Sequence, residues 1–307
     1  SRNMVSEARV MDKALQNVDE NFENREIQKS KVDGMAKAQK TVTVCIVGKY
    51  VHLADTYKSL NEALTHGAVA NGVRVNLEYV DSETIDTSKV GSSLGHADAI
   101  LVPGGFGERG VEGKIGAIQW ARENDVPFFG ICLGMQMAVV EFARNVLGHT
   151  DAHSREFNDK AAHIMIELMD EQQNVVDKGG TMRLGAWPCA LRKGSVVEKL
   201  YGEPEVSERH RHRYEVNPEY FESLEQAGLK ITGRSPDGKL AEMVELASHP
   251  YFVACQFHPE FKSKPLTPHP LFSAFVKAAV KRLGKQSRGK KGNRGKKGVV
   301  GAEVAEA

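Results

Sequence analysis

The stretch FFGICLGMQMA, residues Phe128–Ala138, decides the fold. Its first residues are apolar and predict a buried strand, and its last residues are good helix formers. Gly130 and Gly134 flank Cys132, two residues before it and two residues after it. This spacing is the cysteine version of the strand–turn–helix elbow that exposes a nucleophile above a sheet. Because the N-terminus of the following helix favours a thiolate, the pattern predicts a nucleophilic Cys132.

The chain on either side of this elbow alternates between short β-branched runs and helical apolar spacing. The order strand, helix, strand, strand, helix, strand predicts an α/β fold with a mostly parallel sheet and helices on both faces. An added β-rich segment is expected after residue 160, followed by a closing helix. The expected strands are Thr41–Gly48, Val73–Val80, Ala97–Gly105 and Val126–Ile131, and the expected helices lie within Asp55–Gly72, Val111–Val126 and His269–Leu283.

Length and composition favour one large globular domain. The 307 residues are 41% hydrophobic and 26% charged, which is ordinary for a soluble protein. We expect a polar linker or helical segment at 1–40, the domain at 41–284 and a basic, glycine-rich, disordered tail at 285–307. There is no apolar run long enough to span a membrane and no signal-like N-terminus. The four cysteines lack paired spacing, so a reducing, cytoplasmic location is expected.

A basic stretch lies near the C-terminus. Residues 281–297 carry nine Lys and Arg residues and no acidic residue, whereas the whole chain has a net charge of +1. Such a tail could contact nucleic acid, but it has no aromatic side chains to stack on bases. A solvated, solubilising tail is the favoured interpretation, and neither a nucleic-acid nor a membrane partner is expected.

A candidate base for the cysteine lies in CQFHPE, residues 255–260. His258 ends an apolar strand, and Pro259 prevents that strand from continuing. Glu260 follows His258 at i+2, so on an extended segment both side chains point the same way and Glu260 can orient the imidazole. The glycines of VPGGFG, residues 102–107, allow backbone N–H groups to approach a developing oxyanion.

These motifs together resemble the class I (triad) glutamine amidotransferases. Longer stretches are similar to the glutaminase domains of the CTP synthase family, over about Val42 to Lys281. These stretches are VGKYVHLADTYKSLNEAL, LVPGGFGERGVEGKIGAIQWARE, GICLGMQMAVVEFARNVLG, GGTMRLGAWPC, ERHRHRYEVNP and FVACQFHPEFKSKP. The resemblance implies a flavodoxin-like amidotransferase fold and hydrolysis of L-glutamine to glutamate and ammonia.

The resemblance also implies a role for individual residues. Cys132 would be the nucleophile, His258 the general base and acid, and Glu260 its orienter. Gly105 and Leu133 would supply the oxyanion N–H groups. The residues that match glutamine-binding positions are Gln136, Glu156 and Arg213. A carboxylate and a guanidinium suit the ammonium and carboxylate of an amino acid.

No metal site and no cofactor are expected in this domain. His210 and His212 are spaced at i, i+2 and could bind a metal, but no third ligand is suggested, and a phosphate or nucleotide contact of the surrounding basic run is preferred. The resemblance assigns ATP, UTP and Mg²⁺ to a synthetase domain that is not expected in this chain. It also implies GTP as an allosteric activator and a homo-oligomeric full-length enzyme.

Two other functions remain open beside the glutamine-hydrolysing half of a CTP-forming ligase. One is the glutaminase of another biosynthetic synthetase, against which GGTMRLG and HRHRYEVN argue. The other is a non-catalytic module that binds glutamine for regulation, against which the intact triad argues.

Overall fold

The computed structural model describes residues 38, 40–49, 57–105, 107–168 and 182–295, the last nine of these as backbone alone. Its strands are β1 (Thr41–Gly48), β2 (Arg74–Asp81), β3 (Ala99–Val102), β4 (Phe128–Ile131), β5 (His153–Ser154), β6 (Ile164–Leu168), β7 (Arg183–Leu191), β8 (Glu205–His212), β9 (Tyr214–Val216), β10 (Leu229–Arg234), β11 (Ala241–Leu246) and β12 (Phe252–Cys255). Its helices are α1 (Lys58–Ala70), α2 (Val90–Leu94), α3 (Val111–Glu123), α4 (Leu133–Asn145), α5 (Val196–Tyr201), α6 (Phe221–Ala227) and α7 (Pro270–Gly295).

A nine-stranded sheet runs through the described part of the chain in the order β2-β1-β3-β4-β12-β11-β10-β7-β8. The strands from β2 to β12 are parallel to their neighbours. The strands from β12 to β8 pair in antiparallel fashion. Since β4 and β12 are adjacent and parallel, their carboxyl ends meet at one edge, which brings the cysteine elbow beside the His-Pro-Glu segment.

Helices cover both faces of the parallel half. On one face, α3 and α4 bury apolar residues such as Ile118 and Met137. On the other face, α1 and α7 pack on the sheet, and the ring of Phe129 lies 5.2 Å from that of Phe272 and 5.7 Å from that of Phe275. Strands covered on both faces read as continuous apolar runs, as β3, β4 and β12 do.

A smaller sheet is formed by β5, β6 and β9, of which β5 and β6 precede β7 in sequence and β9 directly follows β8. Strand β6 pairs with β9 in antiparallel fashion, with Leu168 opposite Tyr214. Ser154 on β5 and Tyr214 on β9 therefore belong to the same small sheet.

The expected fold class is confirmed, with several local differences. The short helix α2 between β2 and β3 was not expected, since five residues carry too little periodicity to detect. Helix α7 continues to Gly295, although a disordered tail was expected from residue 285. Its Lys, Arg and Gln residues are good helix formers that prolong an already anchored helix. Most of the segment expected at 1–40 and residues 296–307 lie outside the described residues.

No helix of the described residues is long and apolar enough to cross a membrane.

Candidate active site

Cys132 occupies a strained turn between β4 and α4. It is the N-cap of α4, and its φ of 53° and ψ of −105° lie in a region that non-glycine residues rarely adopt. Its N–H donates to the carbonyl of Cys255, with an N···O distance of 2.7 Å. Its carbonyl accepts the N–H of Met135 at 3.0 Å. The backbone is therefore held on both sides, and the sulfur lies at the N-terminus of α4.

The two flanking glycines are required by close backbone approach. A Cβ added to Gly134 would lie 2.0 Å from the carbonyl oxygen of Val102 on β3. A Cβ added to Gly130 would lie 2.8 Å from the carbonyl oxygen of Gly134 and 2.9 Å from the Cβ of Ala254. The elbow can thus be this tight because neither position carries a side chain.

His258 and Glu260 lie beside the elbow, after β12. The N–H of His258 donates to the carbonyl of Arg209 on β8 at 2.7 Å, which fixes the backbone of His258. Glu260 lies in a single 3₁₀ turn, Pro259–Phe261, and its Oε1 is 2.8 Å from Nδ1 of His258. Both side chains are mostly buried, so this hydrogen bond is shielded from water.

The imidazole of His258 bridges Glu260 and Cys132. Burial by itself would lower the pKa of His258, but the hydrogen bonds with Cys132 and Glu260 outweigh it and raise that pKa to about 10. A Cβ added to Gly104 would lie 2.9 Å from Cε1 of His258 and 3.4 Å from Cβ of Cys132. The sulfur and the imidazole can therefore lie close together because Gly104 leaves the space open. The arrangement favours an imidazolium next to the sulfur.

Gly105 and Leu133 both lie near Cys132 and line the same cavity. Leu133 is the first residue of α4, where N–H groups have no partner within the helix. A Cβ added to Gly105 would lie 3.6 Å from Cδ2 of Leu133, so the side chain of Leu133 packs against Gly105. Both residues line a cavity of about 480 Å³ that also contains Cys132 and His258. The two residues expected to supply oxyanion N–H groups therefore line the same cavity as the sulfur.

Comparison with known proteins identifies the family. The model for "Glutamine amidotransferase class-I" matches residues 52–278. The chain belongs to the class-I glutamine amidotransferase family. Among its relatives, the CTP synthase of Geobacter sulfurreducens is 60% identical over 245 residues, which are 80% of this chain and 46% of that protein. The CTP synthase of Syntrophus aciditrophicus is 57% identical over 246 residues, again 80% of this chain and 46% of the relative.

A solved structure narrows the assignment within the amidotransferases. The glutaminase domain of CTPS from Trypanosoma brucei, with bound acivicin, is 44% identical to the chain and superposes with a TM-score of 0.74. The match covers 78% of this chain and 94% of that one. The chain spans about half the length of the curated relatives, 46% in the two cases above. The expected resemblance to CTP synthase glutaminase domains is confirmed.

A second, narrow cavity of the amidotransferase domain brings the expected glutamine-binding residues together. This cavity of about 40 Å³ is lined by Cys132, Gly105, Gln136, Glu156 and Arg213, with His212 and Tyr214. Burial raises the pKa of the Glu156 carboxyl, while the N–H of Gly107 and the cations Lys49 and Arg213 oppose that rise. A buried carboxylate of this kind gains from an added ammonium group.

Gln256 contacts the sulfur of Cys132, a contact that the sequence did not predict. Its Nε2 donates to Sγ of Cys132 at 3.7 Å, and its side chain is fully buried. Nε2 of Gln136 donates to Oε1 of Gln256 at 3.3 Å and to the carbonyl of Tyr214 at 3.1 Å. The signal available in the sequence was its place in CQFHPE, two residues before His258.

The side chains of the basic run around Arg211 alternate between the two faces of β8. His210 and His212 point into the protein and share a hydrogen bond of 2.8 Å, whereas Arg209 and Arg211 are exposed. Burial lowers the pKa of His210 to about 2 and that of His212 to about 3, so both imidazoles are neutral. Nearby, Arg183 forms an ion pair with Glu242 at 2.6 Å. In the described residues, this histidine pair belongs to no group of three metal-ligating side chains.

The other three cysteines are buried core residues. Burial, and then Glu78 and Asp98, raise the pKa of the Cys45 thiol to about 12. The pKa values of Cys189 and Cys255 are also raised, mainly by burial. None of the four cysteines forms a disulfide. Cys132 differs from the other three because it lies at a helix N-terminus and interacts with His258.

Proposed function

We propose that this domain hydrolyses L-glutamine with Cys132, His258 and Glu260 and supplies the ammonia for amination of UTP to CTP. The observation that carries the proposal is the bridging imidazole, with Glu260 on one side and Cys132 on the other. A strained elbow at a helix N-terminus holds the sulfur, and a buried carboxylate orients its base. This is the organisation of a nucleophile, a base and an orienter that covalent amide hydrolysis requires.

Attack on the substrate begins from the thiolate–imidazolium pair. The sulfur of Cys132 adds to the side-chain amide carbon of glutamine, and the carbonyl oxygen becomes an oxyanion. The N–H groups of Gly105 and Leu133 stabilise that charge. His258 then donates its proton to the amide nitrogen, the C–N bond breaks and ammonia leaves.

Hydrolysis of the thioester restores the enzyme. Neutral His258 takes a proton from water, the hydroxide adds to the thioester carbon, and the C–S bond breaks to release glutamate. Glu260 keeps the imidazole in one orientation through both steps and stabilises its charged form. The thiolate–imidazolium pair is then ready for another turnover.

The amino acid head group would bind in the narrow cavity beside Cys132. Glu156 suits the ammonium group of glutamine, and Arg213 suits its carboxylate. Burial strengthens the attraction between each of these opposite charges. Gln136 already donates to a backbone carbonyl and to Gln256. Its amide is therefore held in place in the narrow cavity that Cys132 also lines, where it can align the substrate side chain.

The larger cavity suits the phosphates of GTP, the activator implied by the resemblance. Lys49, Lys114 and Arg211 line it together with Cys132. Burial, and then Lys49, lower the pKa of Lys114 to about 8. An anion between these cations would relieve their repulsion and would connect nucleotide binding to Gly104 and Gly105, which line the same cavity. ATP, UTP and Mg²⁺ would bind a synthetase domain, the proposed partner.

A cytoplasmic location and a homo-oligomeric whole enzyme complete the proposal. Both rest on the resemblance to the CTP synthase family, and the four unpaired cysteines are compatible with a reducing compartment.

Ammonia release from glutamine tests the proposal. The assay compares the parent, Cys132→Ala and the matched core variant Cys189→Ala, each with and without a CTP synthase synthetase domain supplied with UTP, ATP, Mg²⁺ and GTP. We expect the parent and Cys189→Ala to release ammonia, most strongly with the synthetase domain and its ligands, and Cys132→Ala to release none.

Each alternative predicts a different result. Ammonia release by Cys132→Ala at the parent rate would overturn the assignment of the nucleophile. Glutamine binding without ammonia release under every condition would indicate a regulatory module. Release that is insensitive to UTP, ATP and GTP would indicate the glutaminase of another synthetase.

A further inference from the structure

Three potential metal ligands lie together near the β2 edge of the sheet, on the face that α3 and α4 cover. Sγ of Cys45 lies 3.8 Å from Nε2 of His96, and Nε2 of His96 lies 2.6 Å from Oε2 of Glu78. One ligand atom from each of the three residues lies within 4.8 Å of the other two. Cys45 is fully buried, whereas the side chains of His96 and Glu78 are 51% and 40% exposed. The group therefore has a soft buried ligand and two ligands open to solvent.

The fold itself brings these residues together from distant parts of the sequence. Cys45 on β1 and Glu78 on β2 are register partners in parallel strands, so their side chains lie on the same face. His96 follows α2, where the chain returns to the start of β3. Asn76 donates to Oε1 of Glu78 at 2.9 Å, which leaves Oε2 directed at His96. Metal-ligand spacing is invisible in the sequence because each ligand comes from a separate element.

We propose that Cys45, Glu78 and His96 form a binding site for Zn²⁺ or a similar thiophilic divalent cation, with water as the fourth ligand. Thiolate, imidazole and carboxylate are the ligands that Zn²⁺ takes, and hard cations such as Mg²⁺ do not select sulfur. The site is separate from the catalytic elbow, and the proposal does not depend on the proposed function.

The distances require a small adjustment. In a tetrahedral zinc site the sulfur and nitrogen ligands lie about 3.6 Å apart and the nitrogen and oxygen ligands about 3.3 Å apart. The sulfur–nitrogen separation of 3.8 Å is close to that value. The hydrogen bond of 2.6 Å between His96 and Glu78 must open to admit the cation. Both side chains are half exposed and free to shift outward, while the buried sulfur stays in place.

Binding exchanges protons for the cation in a balanced way. The thiol of Cys45 gives up its proton to solvent as the metal–sulfur bond forms, and neutral His96 and ionised Glu78 bind through lone pairs. Affinity should therefore rise with pH. The bound cation would connect β1, β2 and the entry to β3, and so stabilise the edge of the sheet against unfolding.

Cobalt spectroscopy tests the site in a Cys132→Ala background, which keeps the metal away from the catalytic thiol. Co²⁺ replaces Zn²⁺ and shows a thiolate-to-metal charge-transfer absorption only when sulfur binds it. The variants are Cys45→Ala, Glu78→Gln and His96→Gln. The matched controls are Cys189→Ala, another buried free cysteine, and His66→Gln, a histidine outside the group.

We expect one equivalent of Co²⁺ to give the charge-transfer band and Zn²⁺ to displace it and raise the melting temperature. Cys45→Ala should abolish the band, and Glu78→Gln and His96→Gln should weaken binding about tenfold or more, while both controls bind as the parent does. Because Glu78 and His96 are largely exposed, these two variants test the site even where Cys45→Ala folds poorly. Absence of the band, or the same band in Cys45→Ala as in Cys189→Ala, would overturn the proposal.

Discussion

Replacing Gly134 by alanine tests how the elbow holds the nucleophile. The added Cβ would lie 2.0 Å from the carbonyl oxygen of Val102 and 2.9 Å from its carbonyl carbon. Both are backbone atoms, so no side chain can rotate away to relieve the overlap. Either α4, which begins at the nucleophile, or the end of β3, which leads into Gly104 and Gly105, must move by about 1 Å.

The size of the effect follows from that displacement. Overpacking of this kind costs about 1–3 kcal/mol of the free energy of unfolding. A displacement of about 1 Å between reacting groups lowers the rate about 100-fold. Gly134→Ala should therefore lower the rate of ammonia release far more than its loss of stability explains, because most of the protein remains folded.

Gly284→Ala is the matched control. Gly284 also lies inside a helix, α7, but a Cβ there would have no neighbour within 4 Å. Alanine should stabilise this position by about 0.5–1 kcal/mol, through helix propensity alone, and leave activity unchanged. Urea unfolding and the ammonia assay measure the two effects. A Gly134→Ala protein with the stability and activity of Gly284→Ala would refute the close-approach argument.

Three further predictions concern the side chains around the sulfur. Glu260→Gln should lower the raised pKa of His258. A raised histidine pKa stabilises the folded state fully below the ordinary pKa of about 6.5, and this stabilisation is lost as the pH rises to about 10. In urea unfolding, the difference in stability between the variant and the parent should therefore be largest near pH 6 and vanish above pH 10. A difference that grows with pH would contradict this. Gln256→Leu should slow alkylation of Cys132 at neutral pH about tenfold, because the thiolate loses a hydrogen-bond donor; an unchanged pH profile of alkylation would count against that role. Arg213→Met should raise the KM for glutamine about 10- to 100-fold with a smaller change in kcat, and an unchanged KM would remove Arg213 from the glutamine site.

The parallel half of the fold could be predicted from the sequence because its signals are local. The apolar runs of β1, β3 and β4 and the glycines around Cys132 each specify one element and its end. A β-rich segment after residue 160 was expected, but the antiparallel pairing of its strands from β11 to β8 could not be predicted, because short strands do not specify their distant pairing partners.

The candidate site likewise combines residues that could be predicted from the sequence with residues that could not. Cys132, His258 and Glu260 lie in compact motifs at the ends of β4 and β12, so their proximity could be predicted from the sequence. Gln256 could not be assigned, because its role depends on a side-chain direction and on Gln136 from another element. The group of Cys45, Glu78 and His96 was hidden for a related reason, since β1, β2 and the turn before β3 bring it together.

Covalent labelling tests the central claim, that Cys132 is the activated nucleophile, most directly. An electrophilic glutamine analogue is incubated with the protein at neutral pH, with and without excess glutamine, and the modified cysteine is mapped by mass spectrometry. We expect one label, on Cys132, which excess glutamine suppresses and which forms more slowly in Glu260→Gln. A label on Cys45, Cys189 or Cys255, or a label on Cys132 that glutamine does not suppress, would contradict it.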